Sequence, residues 1–521
     1  MYKNDFWLSK SAPDVAKVDR FIMLTLIFLG GITVIVLMDW WFNVNHINQI
    51  GLYIILSLVF WWGILRMVLV WISYLAIKKP IRNRIPEGKE VAIFTTSSPG
   101  EPLSMFEKTL EACSKISYPH TTYLLDDTKD PAFKELAEKH GAVWLELVGL
   151  PGAKAGKINA ALKLTQEEFI LVLDPDHIPF PNFLDEVLGF FEDAGVGFVQ
   201  VAQAYYNQYR SFTAAGAAEQ TYGFYGPTQM GLHGLGSPVA IGANCTFRRK
   251  ALESIGGHGI GLAEDLVTSI RLHSQGWKSV YHPVIVSRGL VPEDFSSFCK
   301  QQLKWSRGVH EVLFEEVPKH WKNLTYLQRL TYLSIGTYYI SGLSMLIFLL
   351  FPYLYLWFGI IPANMDFAEF VINWTPLAFS GLLIYLFAQK WLSDNANERG
   401  LHWRGMVLKF STWPVFLLGF VLSILNKNIP YIPTSKQSVK GISSFVWPLI
   451  VNIVLFILTV IFTVVDRVFF TPETSLMLSS GMIWGMVTFA TIAFILSTAG
   501  LIAAWTSGKL ESAEPWFEAT P

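Results

Sequence analysis

Residues 21–38, FIMLTLIFLGGITVIVLM, carry no charge and are long enough to cross a bilayer as a helix. This run limits the fold more than any other feature, because a backbone in hydrocarbon must satisfy its own hydrogen bonds. Residues 52–77 form a second run, interrupted by Arg66, which is either a snorkelling side chain or a channel residue. Further runs occupy 331–357, 373–391, 445–465 and 479–505. No small-residue cleavage site follows the first run, so it is expected to span and not to be cleaved as a signal. The composition agrees, with 52% hydrophobic and only 16% charged residues, where a soluble protein carries roughly a quarter. A formal net charge of -1 provides no field to hold nucleic acid, so the expected environment is a lipid bilayer. Cys113, Cys245 and Cys299 form an odd set with no metal spacing and no disulfide framework.

The basic cluster KKPIRNR follows the second run, as on a cytoplasmic face. The loops DWWFNVNHINQ and GIIPANMDFAEFVINW lack Lys and Arg and read as external. Residues 404–427 are ambiguous. Arg404, Lys409 and Pro414 suit an interfacial helix, which leaves the basic stretch 427–440 inside. About six spans are expected, with both termini cytoplasmic. The expected organisation is two membrane helices in 1–80, a cytoplasmic domain in 81–293, interfacial helices in 294–325, membrane helices in 326–505 and a tail in 506–521. The third helical region would include the interfacial helix 404–427 and a loop at 428–443.

Short strand-like runs recur in the charged insert: VAIFTT (91–96), TTYLLDD (121–127), AVWLEL (142–147), FILVLD (169–174) and GFVQVAQ (197–203). Helical patterns separate the early ones, which predicts an α/β domain with a mostly parallel sheet. Ligands of such sheets bind beyond the carboxyl ends of the strands. Two strands end in acidic pairs, Asp126 with Asp127 and Asp174 with Asp176, on one rim. Neither a Walker sequence nor a G-x-G-x-x-G fingerprint occurs, which disfavours a P-loop ATPase and a dinucleotide-dependent dehydrogenase.

Four local patterns carry candidate chemistry. In LVLDPDH, two carboxylates of like sign repel unless a cation lies between them, and Mg²⁺ or Mn²⁺ joins such carboxylates to substrate phosphates. The same residues also suit a capped turn. Glu264 and Asp265 begin a helical pattern, either as an acidic cap or as a general base. Lys154, Lys157 and Asn159 in LPGAKAGKINAALKL suit an anion site or a solvated helix start. In FCKQQLKWSRG, helical spacing puts Gln301, Lys304 and Trp305 on one face.

Read in order, LLDD, GAKAGKIN, DPD, AED and QQLKW, followed by membrane helices, resemble the family 2 processive glycosyltransferases. That group contains bacterial cellulose synthase, hyaluronan synthase and curdlan synthase. GANCTFRRKALESIGG and VQVAQAYYN also resemble segments of the family. The resemblance implies a GT-A glycosyltransferase domain with a Rossmann-like mixed sheet, inserted in an α-helical transmembrane domain of a plasma (inner) membrane protein. It implies that Asp126 and Asp127 contact the base and ribose of a nucleotide sugar, with Lys154 near the diphosphate. Asp174 and Asp176 would hold donor and metal, Mg²⁺ or Mn²⁺. Asp265, beside Glu264, would be the base on the acceptor hydroxyl. Gln301, Lys304 and Trp305 stand where the family has Q-x-x-R-W, which faces the diphosphate and meets the acceptor sugar. YIPTSK resembles the family's gating loop through Tyr431, Thr434 and Lys436, with Pro433 in place of valine; a proline-rich linker is the other reading.

The chain departs from the family in three further places. Lys304 replaces arginine, losing the bidentate fork, for which Arg307 is a candidate substitute at the donor. AIGANC replaces F-F-C-G near the acceptor, which counts against cellulose itself as the product. Ala263 replaces threonine before the acidic pair. The function expected is polymerisation of a nucleotide sugar, UDP-glucose foremost, into a β-linked polysaccharide that leaves through the protein's own channel. Its partners would be the UDP-sugar, the growing polysaccharide and the bilayer, with export or regulatory subunits left open. The alternatives are a non-processive enzyme adding single sugars to a lipid carrier, a synthase using UDP-N-acetylglucosamine or GDP-mannose, and a transporter with a degenerate transferase-like domain.

Overall fold

The computed structural model describes residues 6–427, 429, 443–469 and 480–507. Among them six helical segments are long and apolar enough to cross a membrane: Lys17–Trp41, Ile50–Leu75, Tyr326–Phe358, Phe367–Trp391, Ser444–Thr463 and Ile483–Thr506. Their positions follow the apolar runs of the sequence. The two loops lacking Lys and Arg meet at one end of the bundle. Ile47 bridges Ala363, and Asn364 N donates to His46 O at 2.8 Å. The α/β domain packs at the opposite end, where Gly231 and Gly234 lie against the backbone of Ser73 and Ala76.

Arg66 is held within the bundle. Its guanidinium donates to Ser334 O at 2.7 Å and lies 5.2 Å from the centre of the Tyr338 ring. Lys409 Nζ lies 4.7 Å from the same centre. The expected single helix over 404–427 is instead two helices, Trp403–Ser411 and Trp413–Ile424, bent by 47°. Pro414 explains the break, since it has no N–H to continue the first helix and is favoured in the first turn of a new one. The first helix packs on Phe212–Gly223 of the domain, where Arg404 Nε donates to Glu219 at 2.9 Å.

The domain is built on seven strands: β1 (Val91–Thr96), β2 (Thr121–Asp126), β3 (Val143–Glu146), β4 (Phe169–Leu173), β5 (Val196–Val201), β6 (Cys245–Arg248) and β7 (Lys278–His282). Their order is β3-β2-β1-β4-β6-β5-β7. The first four are parallel, whereas β6 runs antiparallel to both β4 and β5, so the sheet is mixed, as a GT-A domain requires. Both faces are covered. Ile93, Leu171 and Val199 enter one apolar cluster, and Phe94, Val172 and Phe198 enter the other. This explains the unbroken apolar runs in β1 and β4.

The reversal of β6 positions the site. Val172 pairs with Cys245, so the beginning of β6 lies at the carboxyl end of β4. Residues 241–244 therefore enter the sheet on the acidic rim. Gln200 of β5 holds this turn: its amide donates to Ala243 O at 2.9 Å, and its carbonyl accepts from Ile241 N at 3.0 Å.

Candidate active site

The rim gathers residues from four separate stretches of chain. Asp126, at the end of β2, is fully buried. Its carboxylate accepts from Ser97 Oγ at 2.5 Å, Thr128 N at 3.0 Å and Trp144 Nε1 at 3.0 Å. It braces the ends of β1, β2 and β3. Asp127 is more open; it accepts from Gly149 N at 2.8 Å and lies 3.7 Å from Lys157 Nζ. Lys157 is almost fully buried and also donates to Ser97 O, so it ties the two strand ends together. Burial lowers the Lys157 pKa, against the pull of Asp127.

The helix Ala153–Leu164 carries Lys154 into the centre. Its ammonium donates to Asp174 Oδ1 and to Gly242 O, both at 2.5 Å. Burial opposes the charge on each partner. For Lys154 burial is the largest single effect, but Asp174, Glu264 and Asp265 together overcome it and raise the pKa, while Lys154 in turn helps hold that of Asp174 below its ordinary value. Beside this pair, Asp174, Asp176 and His177 bring ligand atoms within 4.8 Å of one another. Two hard carboxylate donors in a polar cleft fit Mg²⁺ or Mn²⁺. Asp176 and His177 are both nearly fully buried.

Gly242 separates this cluster from the second acidic pair. Its φ is +80°, and a Cβ there would lie 3.4 Å from Asp265 Oδ2 and 3.8 Å from Glu264 Oε1. Glu264 and Asp265 open the helix Glu264–Ser274, and Asp265 Oδ1 accepts from Leu266 N at 2.8 Å. Burial, and then the Glu264 charge, push the Asp265 pKa up to about 7. Lys154 and Lys304 act on Asp265 in the opposite sense.

Lys304 belongs to the helix Phe295–Glu311 together with half-buried Gln301 and Trp305. Trp305 packs against the cluster that holds Ala263, Leu266 and Tyr339. A Cβ on Gly308 would lie 2.8 Å from Ala263 N, so this helix presses directly on the start of the acidic turn. Arg307 is placed differently. Its side chain is 3% exposed, donating to Lys427 O at 3.1 Å and to Glu311 at 3.2 Å. It anchors the helix to residue 427 and does not stand in for the missing arginine of Q-x-x-R-W. Tyr431, Thr434 and Lys436 lie outside the described residues.

The structure thus brings Lys154, Asp174, Asp176, Glu264, Asp265 and Lys304 around one cleft, with Asp127 at its edge. Sequence reasoning gave no role to His177 or Gln200, although both fall inside quoted motifs. The three cysteines are buried and unbridged.

Residues 169–389 match the family described as Glycosyl transferase family group 2. Over that stretch the chain is similar to the family 2 glycosyltransferases. It is 31% identical over 291 residues to a cellulose synthase catalytic subunit (UDP-forming) of Komagataeibacter sucrofermentans, covering 54% of this chain and 38% of that protein. It is 29% identical over 268 residues to the corresponding subunit of Pseudomonas fluorescens, covering 50% and 36%. The chain therefore spans well under half the length of these curated relatives. Among solved structures, the mannosyltransferase PcManGT from Pyrobaculum calidifontis, in complex with GDP-Man and Mn²⁺, is similar at 16% identity and a TM-score of 0.49. That alignment covers 73% of this chain and 99% of the mannosyltransferase.

Proposed function

We propose that this protein is a multi-pass membrane glycosyltransferase that transfers sugar units from a nucleotide sugar, UDP-glucose foremost, to the end of a growing β-linked polysaccharide. The observation that carries this reading is the acidic pair Glu264–Asp265 facing the Lys154–Asp174 pair across Gly242, with burial pushing the Asp265 pKa up to about 7. A base tuned close to the operating pH is effective at taking a proton from a hydroxyl. The acceptor hydroxyl gives its proton to Asp265 as its oxygen attacks the anomeric carbon. The bond to the diphosphate breaks on the opposite face, so the anomeric centre inverts. Negative charge then grows on the leaving diphosphate, where Lys154 and Lys304 stabilise it. Asp174 and Asp176 would hold Mg²⁺ or Mn²⁺, which supplies further positive charge to the leaving group. Asp127 lies at the edge where a nucleoside would enter, while Asp126 keeps that edge rigid.

Processivity rests on the helix Phe295–Glu311. It brings Trp305, a flat apolar surface for a sugar ring, between the base and the membrane helices. The α/β domain is then cytoplasmic, because the loops at the far end of the bundle lack Lys and Arg. The test is to incubate purified protein with radiolabelled UDP-glucose, UDP-N-acetylglucosamine or GDP-mannose and a divalent cation. Products are then sized and digested with linkage-specific hydrolases. Long β-linked polymer from a UDP-sugar is the expected result. Single-sugar products would overturn processivity, and polymer from GDP-mannose alone would overturn the donor assignment.

A further inference from the structure

His177 has a place in the cleft that the DPD motif alone does not explain. Its Nδ1 lies 2.9 Å from Asp176 Oδ1, and its side chain is 2% exposed. Its Nε2 is buried and has no hydrogen-bond partner among the described residues. The ring packs directly against Gly289, where a Cβ would clash at 2.5 Å from Nε2. Gly289 cannot yield, because its N–H donates to Ala204 O at 2.9 Å and its carbonyl accepts from Tyr206 N at 3.0 Å. The preceding residues, Ser287 and Arg288, pair with Pro179 and Ile178, closing the chain around the imidazole.

This surrounding selects the tautomer. A neutral imidazole carries one proton, on either Nδ1 or Nε2. On Nε2 it would be a buried donor without an acceptor, and Nδ1 would set a lone pair against a carboxylate oxygen. On Nδ1 it donates to Asp176 and leaves Nε2 as a bare lone pair, the arrangement with the smaller loss. With Nδ1 committed to Asp176, only Nε2 could ligate an ion, and Gly289 is packed against that side of the ring. Although its nitrogen lies close enough to be counted with the two carboxylates, His177 is poorly suited to bind the ion itself.

We infer that His177 is a positioning residue: its Nδ1–H fixes the orientation of the Asp176 carboxylate for a divalent cation, with the imidazole clamped by Gly289. This rests on the metal-binding part of the proposed function. Asp174 is already bonded to Lys154, so the orientation of Asp176 controls the strength of the site.

The test measures Mn²⁺ binding by electron paramagnetic resonance, and Mg²⁺ by competition, on the purified full chain with UDP present at fixed pH. His177→Ala should weaken both ions by the same factor, about 10-fold or more, as for other groups that orient metal ligands. His177→Asn, whose amide nitrogen can take the place of Nδ1, should recover binding to within about threefold of wild type on the same scale. Gly289→Ala should reproduce the His177→Ala loss by displacing the ring. Unchanged binding in His177→Ala would overturn the inference, as would a failure of His177→Asn to recover it. Selective loss of Mn²⁺ over Mg²⁺ in His177→Ala would mark the histidine as a direct ligand and also overturn it. Asp176→Asn separates the two levels. If it leaves Mn²⁺ binding intact, the metal-site reading falls and the role of His177 with it. If it abolishes binding while His177→Ala does not, only the role of His177 falls.

Discussion

Asp265→Asn should inactivate the protein and stabilise it at the same time. Moving the Asp265 pKa from 3.8 to about 7 corresponds to at most about 4 kcal/mol against the ionised form. Burial is the first cause and the neighbouring Glu264 charge the second. Between these two values the folded protein binds a proton that the unfolded chain has released. Folding stability therefore falls as pH rises through that window, and the full cost is present above about pH 7. Asparagine has nearly the same shape and no charge to bury, so the variant should escape this cost. Thermal unfolding in detergent should show a higher midpoint than wild type at pH 8. The gain should nearly vanish toward pH 3, below the unfolded value of 3.8, where Asp265 is mostly protonated in both folded and unfolded wild type. Transfer from the nucleotide sugar should be lost at every pH, while nucleotide binding persists. In wild type, the rate should drop about tenfold for each pH unit below the Asp265 pKa. A variant no more stable at pH 8 than at pH 3, relative to wild type, would refute the electrostatic account. Retained transfer would refute the role as base.

Three further outcomes follow from the same geometry. Lys304→Arg should keep or improve turnover, whereas Lys304→Ala should lower it by about 10²-fold or more, as loss of a charge-stabilising group does. Because Lys304 lowers the Asp265 pKa, the alanine variant should also shift the pH–rate midpoint upward. Gly242→Ala should cost about 1 kcal/mol or more in stability from its positive φ, and should reduce turnover more than donor affinity, since the new methyl sits against Asp265. Arg307→Ala should lower thermal stability while leaving the Michaelis constant for the donor within about twofold, since one buried charged hydrogen-bond donor is lost and nothing at the cleft is. A donor-specific defect would restore Arg307 to the diphosphate site.

The early strands were legible because β1 and β4 are buried on both faces and read as continuous apolar runs, and because β2 and β4 lead into acids. β6 and β7 were not. CTFR and KSVYH are short, and their charged or polar residues hide the pattern. The antiparallel course of β6 depends on pairing with distant strands, and no local sequence signal encodes it. The acidic pairs were legible as chemistry because like charges side by side need a reason. The functions of Asp126 and Arg307 were harder to see. Each is committed to partners far away in sequence, Trp144 for one and Lys427 for the other. His177 was hidden for the same reason, since its environment is completed by Gly289. The six apolar runs were plain, but the bend at Thr412 required the structure to show that Pro414 begins a helix instead of kinking one.

The helix Phe295–Glu311 has a mechanical consequence. On one side Gly308 lets it touch the backbone at Ala263; on the other, Gly419 lets the helix Trp413–Ile424 come so close that a Cβ there would lie 2.3 Å from Ser306 Oγ. Neither contact has slack. The helix is a strut wedged between the turn that carries Glu264 and Asp265 and the membrane helices, so the two cannot slide past each other along this seam. A push from the membrane side, whether from bilayer thickness or from a neighbouring protein, would be transmitted through the strut to the carboxylates at Glu264 and Asp265.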